Sequence, residues 1–173
     1  MPKTFSIKQS SLFKNNYLFL DDDKTVGHLE KTGIFRPKIR GDMSGQQWRF
    51  IKSSGLKGTE IVAMPLDSDE VIATYHAPLF RQTGSLHING TIYTFKVSSW
   101  RSRYTWTNKQ DKNDDEPKPV VTFSMGGIFK RSGTAEVVDA ALELPESQLL
   151  LVLGLYLGTT AEEEASAAAS GGA

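Results

Sequence analysis

Two short segments carry the residues best suited to chemistry, and both are basic. In Arg36-Pro37-Lys38-Ile39-Arg40 an extended backbone sends successive side chains to opposite sides, so Arg36, Lys38 and Arg40 share one face and Ile39 takes the other. Three cations on one face can converge on a phosphate, and guanidinium forks give it paired hydrogen bonds. The second segment, Trp100-Arg101-Ser102-Arg103-Tyr104-Thr105-Trp106, interleaves Arg101 and Arg103 with aromatic rings at strand spacing. That mixture suits a lipid headgroup interface or a single nucleic-acid strand. It equally suits a barrel wall in which Trp100, Tyr104 and Trp106 pack inward while the arginines keep their heads in water.

Other chemistry is sparse. The chain has no cysteine, which removes disulfides, thiolate nucleophiles and cysteine zinc sites and fits a reducing compartment. His28, His76 and His87 stand in separate strand-type segments without the close pairing of metal sites, and read as solvated or hydrogen-bonded strand residues. There is no Gly-x-Ser-x-Gly elbow, and the glycine clusters Gly41 to Gly45 and Gly126-Gly127 lack the lysine and helix of a phosphate loop; both read as turns or bulges. Asp21-Asp22-Asp23 starts like a calcium loop, but the sixth position is Val26 where glycine is required, so a turn is expected. Asn89-Gly90-Thr91 is a glycosylation acceptor in form, placed in a tight turn that suits it poorly. Glu136, Asp139, Glu143 and Glu146 spread along a polar connection and do not form an acid/base pair. The residues thus predict a protein that is not an enzyme and holds no cofactor or metal.

The elements that position these residues are mainly strands. Up to Val138, short strand-type pieces are separated by Gly, Asp, Asn, Ser or Pro at the spacing of a sandwich or barrel. The clearest is Ser85 to Val97, where Asn89-Gly90 marks a type I′ turn. That register puts Leu86, Ile88, Tyr93, Phe95 and Val97 on one face and Ser85, His87, Thr94 and Lys96 on the other; Ile92 alone breaks the pattern. Further strands are expected at residues 5–7, 17–20, 26–30, 38–40, 48–51, 60–64, 71–76, 104–107, 120–124 and 133–138. Ten to twelve strands suffice to close a barrel and remove its edges. The wholly polar stretch 108–119 is expected to be a mobile loop.

After Pro145 the pattern changes. Leu149 to Leu157 is leucine-rich and apolar on every side, with Pro145 and Glu146 as start signals and Gly158 as a stop. A helix without a polar stripe must be enclosed by protein. Nine apolar residues are too few for a bilayer span, which takes about 20, so no transmembrane segment is expected. The sequence also lacks a signal-peptide pattern. Residues 159–173, acidic and then Ala/Ser/Gly-rich, are expected to form a disordered tail behind a single domain spanning 1–158.

The 20 basic and 20 acidic residues cancel, which disfavours nucleic acid as a partner. The balance is uneven along the chain. Lys24 to Lys109 holds 13 basic and 6 acidic residues, and Gln110 to the end holds 4 and 11, or +7 against −7.

The order of many short strands, then Phe129-Lys130-Arg131-Ser132-Gly133-Thr134-Ala135-Glu136-Val137, then a leucine-rich helix resembles the tubby C-terminal-like superfamily. That superfamily joins tubby-like proteins, phospholipid scramblases and plant LURP-one-related proteins. Over residues 5 to 158 the chain is most similar to small fungal members with a Tyr-x-Trp segment, here Tyr104-Thr105-Trp106. The resemblance implies a closed antiparallel barrel of twelve strands around one central apolar helix. It also implies phosphoinositide binding at a basic surface, although no copy of the tubby basic motif is present. Arg36, Lys38, Arg40, Arg101, Arg103, Lys130 and Arg131 are the chemically suitable positions. The expected function is a non-enzymatic binding or scaffold module in the cytoplasm, docking peripherally on anionic lipid or a protein partner. The alternatives are a structural protein–protein interaction domain, or a carrier or enzyme working at the barrel mouth.

Overall fold

Strict alternation of inward apolar and outward polar residues builds twelve strands. The structure, a computed structural model, describes residues 1–10, 15–33, 35–79, 83–98, 101–108, 117–126 and 131–171. The strands are β1 (Lys3–Gln9), β2 (Asn15–Asp21), β3 (Lys24–Thr32), β4 (Lys38–Met43), β5 (Gln46–Gly55), β6 (Gly58–Pro65), β7 (Ala73–Ala77), β8 (Thr83–Ile88), β9 (Thr91–Ser98), β10 (Arg103–Asn108), β11 (Pro119–Gly126) and β12 (Ser132–Val137). Each pairs antiparallel with its neighbours in sequence, and β1 pairs with β12 to close the ring. The turn at Asn89 (φ 49°) and Gly90 (φ 75°) sets the β8–β9 register, and Leu86, Ile88, Tyr93, Phe95 and Val97 are all buried. Of the polar stretch expected between β10 and β11, residues 109–116 lie outside the described residues.

A short helix, α1 (Asp139–Leu142), leads into α2 (Ser147–Ser170), which threads the barrel. It enters at the end where β12 stops. The opposite end, where it leaves, is the end at which β1, β3, β5, β7, β9 and β11 finish. Every residue from Leu149 to Thr159 is buried. The enclosure expected of an all-apolar helix is therefore complete.

The helix is longer than its apolar core. Expectation set a stop at Gly158 and a disordered tail from Thr159, whereas helical structure continues to Ser170. Two physical causes replace the stop. Alanine, the best helix former, dominates residues 165–169. Three successive glutamates also meet three wall cations: Glu162 with Arg131 at 2.8 Å, Glu163 with Lys31 at 2.9 Å and Glu164 with Lys52 at 3.1 Å.

Gly158 has another role. A Cβ there would lie 2.2 Å from the Tyr104 ring, and one at Gly154 would lie 2.5 Å from Trp106 Nε1. Gly41, expected in a turn, sits inside β4 for the same reason: its Cβ would fall 2.1 Å from Val152 Cγ1. These glycines let helix and wall approach closely on the β4 side and on the β10–β11 side. The indole of Trp106 uses that space to donate to the Leu150 carbonyl at 2.9 Å. At the entry end Tyr93 donates to the Glu146 carboxylate at 2.9 Å.

The close contact reverses an ordinary substitution rule. Gly→Ala inside a helix is usually stabilising by up to about 1 kcal/mol, but Gly154→Ala and Gly158→Ala are expected to destabilise by about 1–3 kcal/mol through overpacking. Urea unfolding measures the sign directly. In the same assay Leu153→Asp, which buries an unpaired charge, should abolish the cooperative transition.

Candidate functional site

The β4–β5 hairpin turns at Ser44 (φ 50°) and Gly45 (φ 88°), which sets Arg40 opposite Arg49 and Ile39 opposite Phe50. Ile39, Trp48 and Phe50 point into the core. Lys38 and Arg40 therefore emerge on the outer face, beside Arg49 and Ile51. Strand β5 runs on beyond the start of β4, while the chain before β4 turns away through Phe35, Arg36 and Pro37. The result is a groove of about 680 Å³ bordered by Phe35, Arg36, Lys38, Arg40, Arg49, Ile51 and Lys52.

Its cations differ in how they are occupied. Arg49 is held by the Asp69 carboxylate and by the Ser68 carbonyl at 3.1 Å, and Lys52 is held by Glu164. Arg36, Lys38 and Arg40 are exposed and, among the described residues, have no ion pair. Glu30 faces Arg40 across the β3–β4 ladder without forming one. Two apolar side chains flank the charge: Phe35 is 97% exposed and Ile51 is 50% exposed.

The remaining basic residues expected at a binding surface lie elsewhere. Arg103 opens β10, six places around the ring from β4, with Arg101 just before it. Tyr104 and Trp106 are fully buried in the core, as the barrel-wall reading of that segment required; Trp100 lies outside the described residues. Arg131 stands at the exit end against Glu162, and Lys130 lies outside the described residues. The six described positions thus divide among separate parts of the barrel, and of them only Arg36, Lys38 and Arg40 border one groove.

Arg49, Lys52, Phe35 and Ile51 did not stand out in the sequence. The Ser44-Gly45 turn carried the signal for one of them, because a two-residue hairpin centred there pairs Arg40 with Arg49. Among the described residues, no group of three or more metal-ligating side chains comes together, and His28 is engaged with Asp42 across the β3–β4 ladder. No described helix is long and apolar enough to cross a membrane. No protein-family model matches this chain, and no curated protein or solved structure matches it either.

Among the described residues, the displaced titrations belong to phenols. All five tyrosines are buried, Tyr156 on the helix and Tyr17, Tyr75, Tyr93 and Tyr104 in the wall. Burial pushes Tyr75 and Tyr156 up to about 12. It also raises Tyr17, Tyr93 and Tyr104, with the Glu146 carboxylate adding to the effect at Tyr93 and Glu162 at Tyr104.

A phenol whose pKa is raised by folding favours the folded state fully below its unfolded value of 10 and loses that contribution as pH rises through the folded value. Stability is therefore expected to hold up to about pH 10 and to fall between about pH 10 and 12. Phenolate absorbance followed alongside circular dichroism checks this. Ionisation should coincide with loss of structure, and a tyrosine titrating near pH 10 in the folded protein would contradict the burial.

Proposed function

We propose that this protein is a tubby-like barrel that catalyses no reaction and docks from the cytoplasm on membranes bearing anionic phosphorylated lipids, phosphoinositides foremost. The observation that carries this reading is the convergence of Arg36, Lys38 and Arg40, none of them ion-paired among the described residues, on the β4–β5 groove. Unpaired cations in a concave site can bind phosphate oxygens without first giving up a protein partner. Phe35 and Ile51 supply the apolar contact with the interface that a headgroup-binding groove needs beside its charge.

Two further points support binding over catalysis. The axis of the barrel, where a reaction chamber would sit, is filled by α2. Among the described residues, the displaced groups are phenols moved upward, away from the range useful for proton transfer near neutral pH.

The experiment is co-sedimentation with vesicles of phosphatidylcholine alone, with phosphatidylserine, or with phosphoinositide at matched charge. Binding should favour phosphoinositide and weaken with salt. Each cation near an anionic surface contributes about 1 kcal/mol, so the triple variant Arg36→Ala/Lys38→Ala/Arg40→Ala should lose about a hundredfold in affinity. Phe35→Ala should weaken binding while keeping the headgroup preference. Indifference to headgroup charge, or full binding by the triple variant, would overturn the reading.

A further inference from the structure

The glycine contacts across the barrel have a counterpart at right angles to them. Strands β4 and β10 lie six places apart in a ring of twelve. Gly41 brings the helix close to β4, and Gly154 and Gly158 bring it close to β10 and β11. The barrel is narrow along that diameter, so the helix cannot also fill the direction that runs through β7. Where α2 nears the exit end it turns Thr160, Ala161 and Ala165 toward β6, β7 and β9. These side chains are too short to reach the wall, and an open cleft of about 260 Å³ is left.

We propose that this cleft binds a medium-chain alkyl carboxylate, its chain among Ile61, Tyr75, Phe95, Val97 and Tyr156 and its carboxylate on Lys52. The five chain-contacting residues are all buried core side chains. Lys52 stands at the rim as the cation of this lining. Its present partner, Glu164, is bound at 3.1 Å through a side chain that is 68% exposed. An exposed pair of this kind is weak, and a ligand that brings its own apolar surface can displace it.

A cleft of about 260 Å³ lies at the small end of ligand pockets and suits a chain of medium length rather than a long-chain lipid. The site is separate from the outer groove, although Lys52 borders both.

Calorimetric titration of the full chain with hexanoate, octanoate, decanoate and dodecanoate, and with 1-octanol as the uncharged control, tests the assignment. Affinity should rise about fourfold per methylene and level off once the cleft is full, and octanol should bind at least tenfold more weakly than octanoate. Lys52→Met should remove the preference for octanoate, and Glu164→Gln, which deletes the competing carboxylate, should tighten octanoate binding severalfold. Ala161→Leu should block the chain; because that change could disturb the fold, circular dichroism accompanies it, and Glu164→Gln on an exposed side chain decides independently.

Equal binding of octanol and octanoate, affinity that climbs with length without levelling, or no response to Glu164→Gln would overturn the proposal. The Arg36→Ala/Lys38→Ala/Arg40→Ala variant should bind octanoate like the wild type. Failure of the outer groove and failure of the cleft are therefore distinguishable.

Discussion

A helix without a polar stripe can exist in water only if protein surrounds it, and that requirement organises this fold. From Leu149 to Thr159 no residue reaches solvent to a useful degree, so the wall must close. A helix with its side chains is about 10–12 Å across, which leaves a large ring of strands with more interior than the helix alone can occupy. Aromatic side chains take up the difference: Phe95 lies 4.7 Å from Trp106 between ring centres, and Tyr75 meets Trp106 edge-on at 6.2 Å. Gly154 shows how closely the parts are matched. It is one turn beyond Leu150, and its missing side chain opens the path by which Trp106 reaches the Leu150 carbonyl. A polar indole is thereby satisfied inside an otherwise apolar core.

At the exit end the same helix must pass from apolar surroundings to water, and it does so through charge. Successive residues on a helix point about 100° apart. Glu162, Glu163 and Glu164 consequently face three directions and meet Arg131 beside β12, Lys31 on β3 and Lys52 on β5. Three adjacent carboxylates repel one another, and the wall cations offset that cost. The uneven charge along the chain acquires a meaning here: part of the basic excess in the strands is matched by acid on the helix. Arg36, Lys38 and Arg40 are left outside this exchange, on the outer face.

Strands and helix differ in how legible they were from sequence. Strand positions follow from period-2 alternation, which is local, and the Asn89-Gly90 turn fixed a register that held residue by residue. Val71 and Ile72, which lie ahead of β7 in the β6–β7 connection, and Val138, which lies past β12 at the start of α1, are the exceptions. The glycines misled because the same residue serves a turn and a close approach, and only a distant partner distinguishes the two. Gly158 looked like a stop and makes room for Tyr104; Gly41 looked like part of a turn and makes room for Val152. Residues 159–170 looked disordered because their composition is simple, while the ion pairs that hold the first turn of that segment involve residues from β3 and β5 and Arg131, just ahead of β12.

The site was legible to the same extent as its contacts are local. Arg36, Lys38 and Arg40 share a face because of strand alternation, which the sequence states outright. Whether they form a groove depends on β5 overrunning β4 and on Phe35 turning out ahead of the strand, and neither follows from the segment itself. The same segment places Ile39 inward against the core, so the alternation that exposes three cations also fastens them to the most rigid part of the molecule. Binding groups mounted on a packed strand lose little freedom when a ligand arrives. A neutral chain can for this reason carry a strongly basic site: net charge sums over the whole surface, whereas recognition depends on which charges stand together and which of them are already paired.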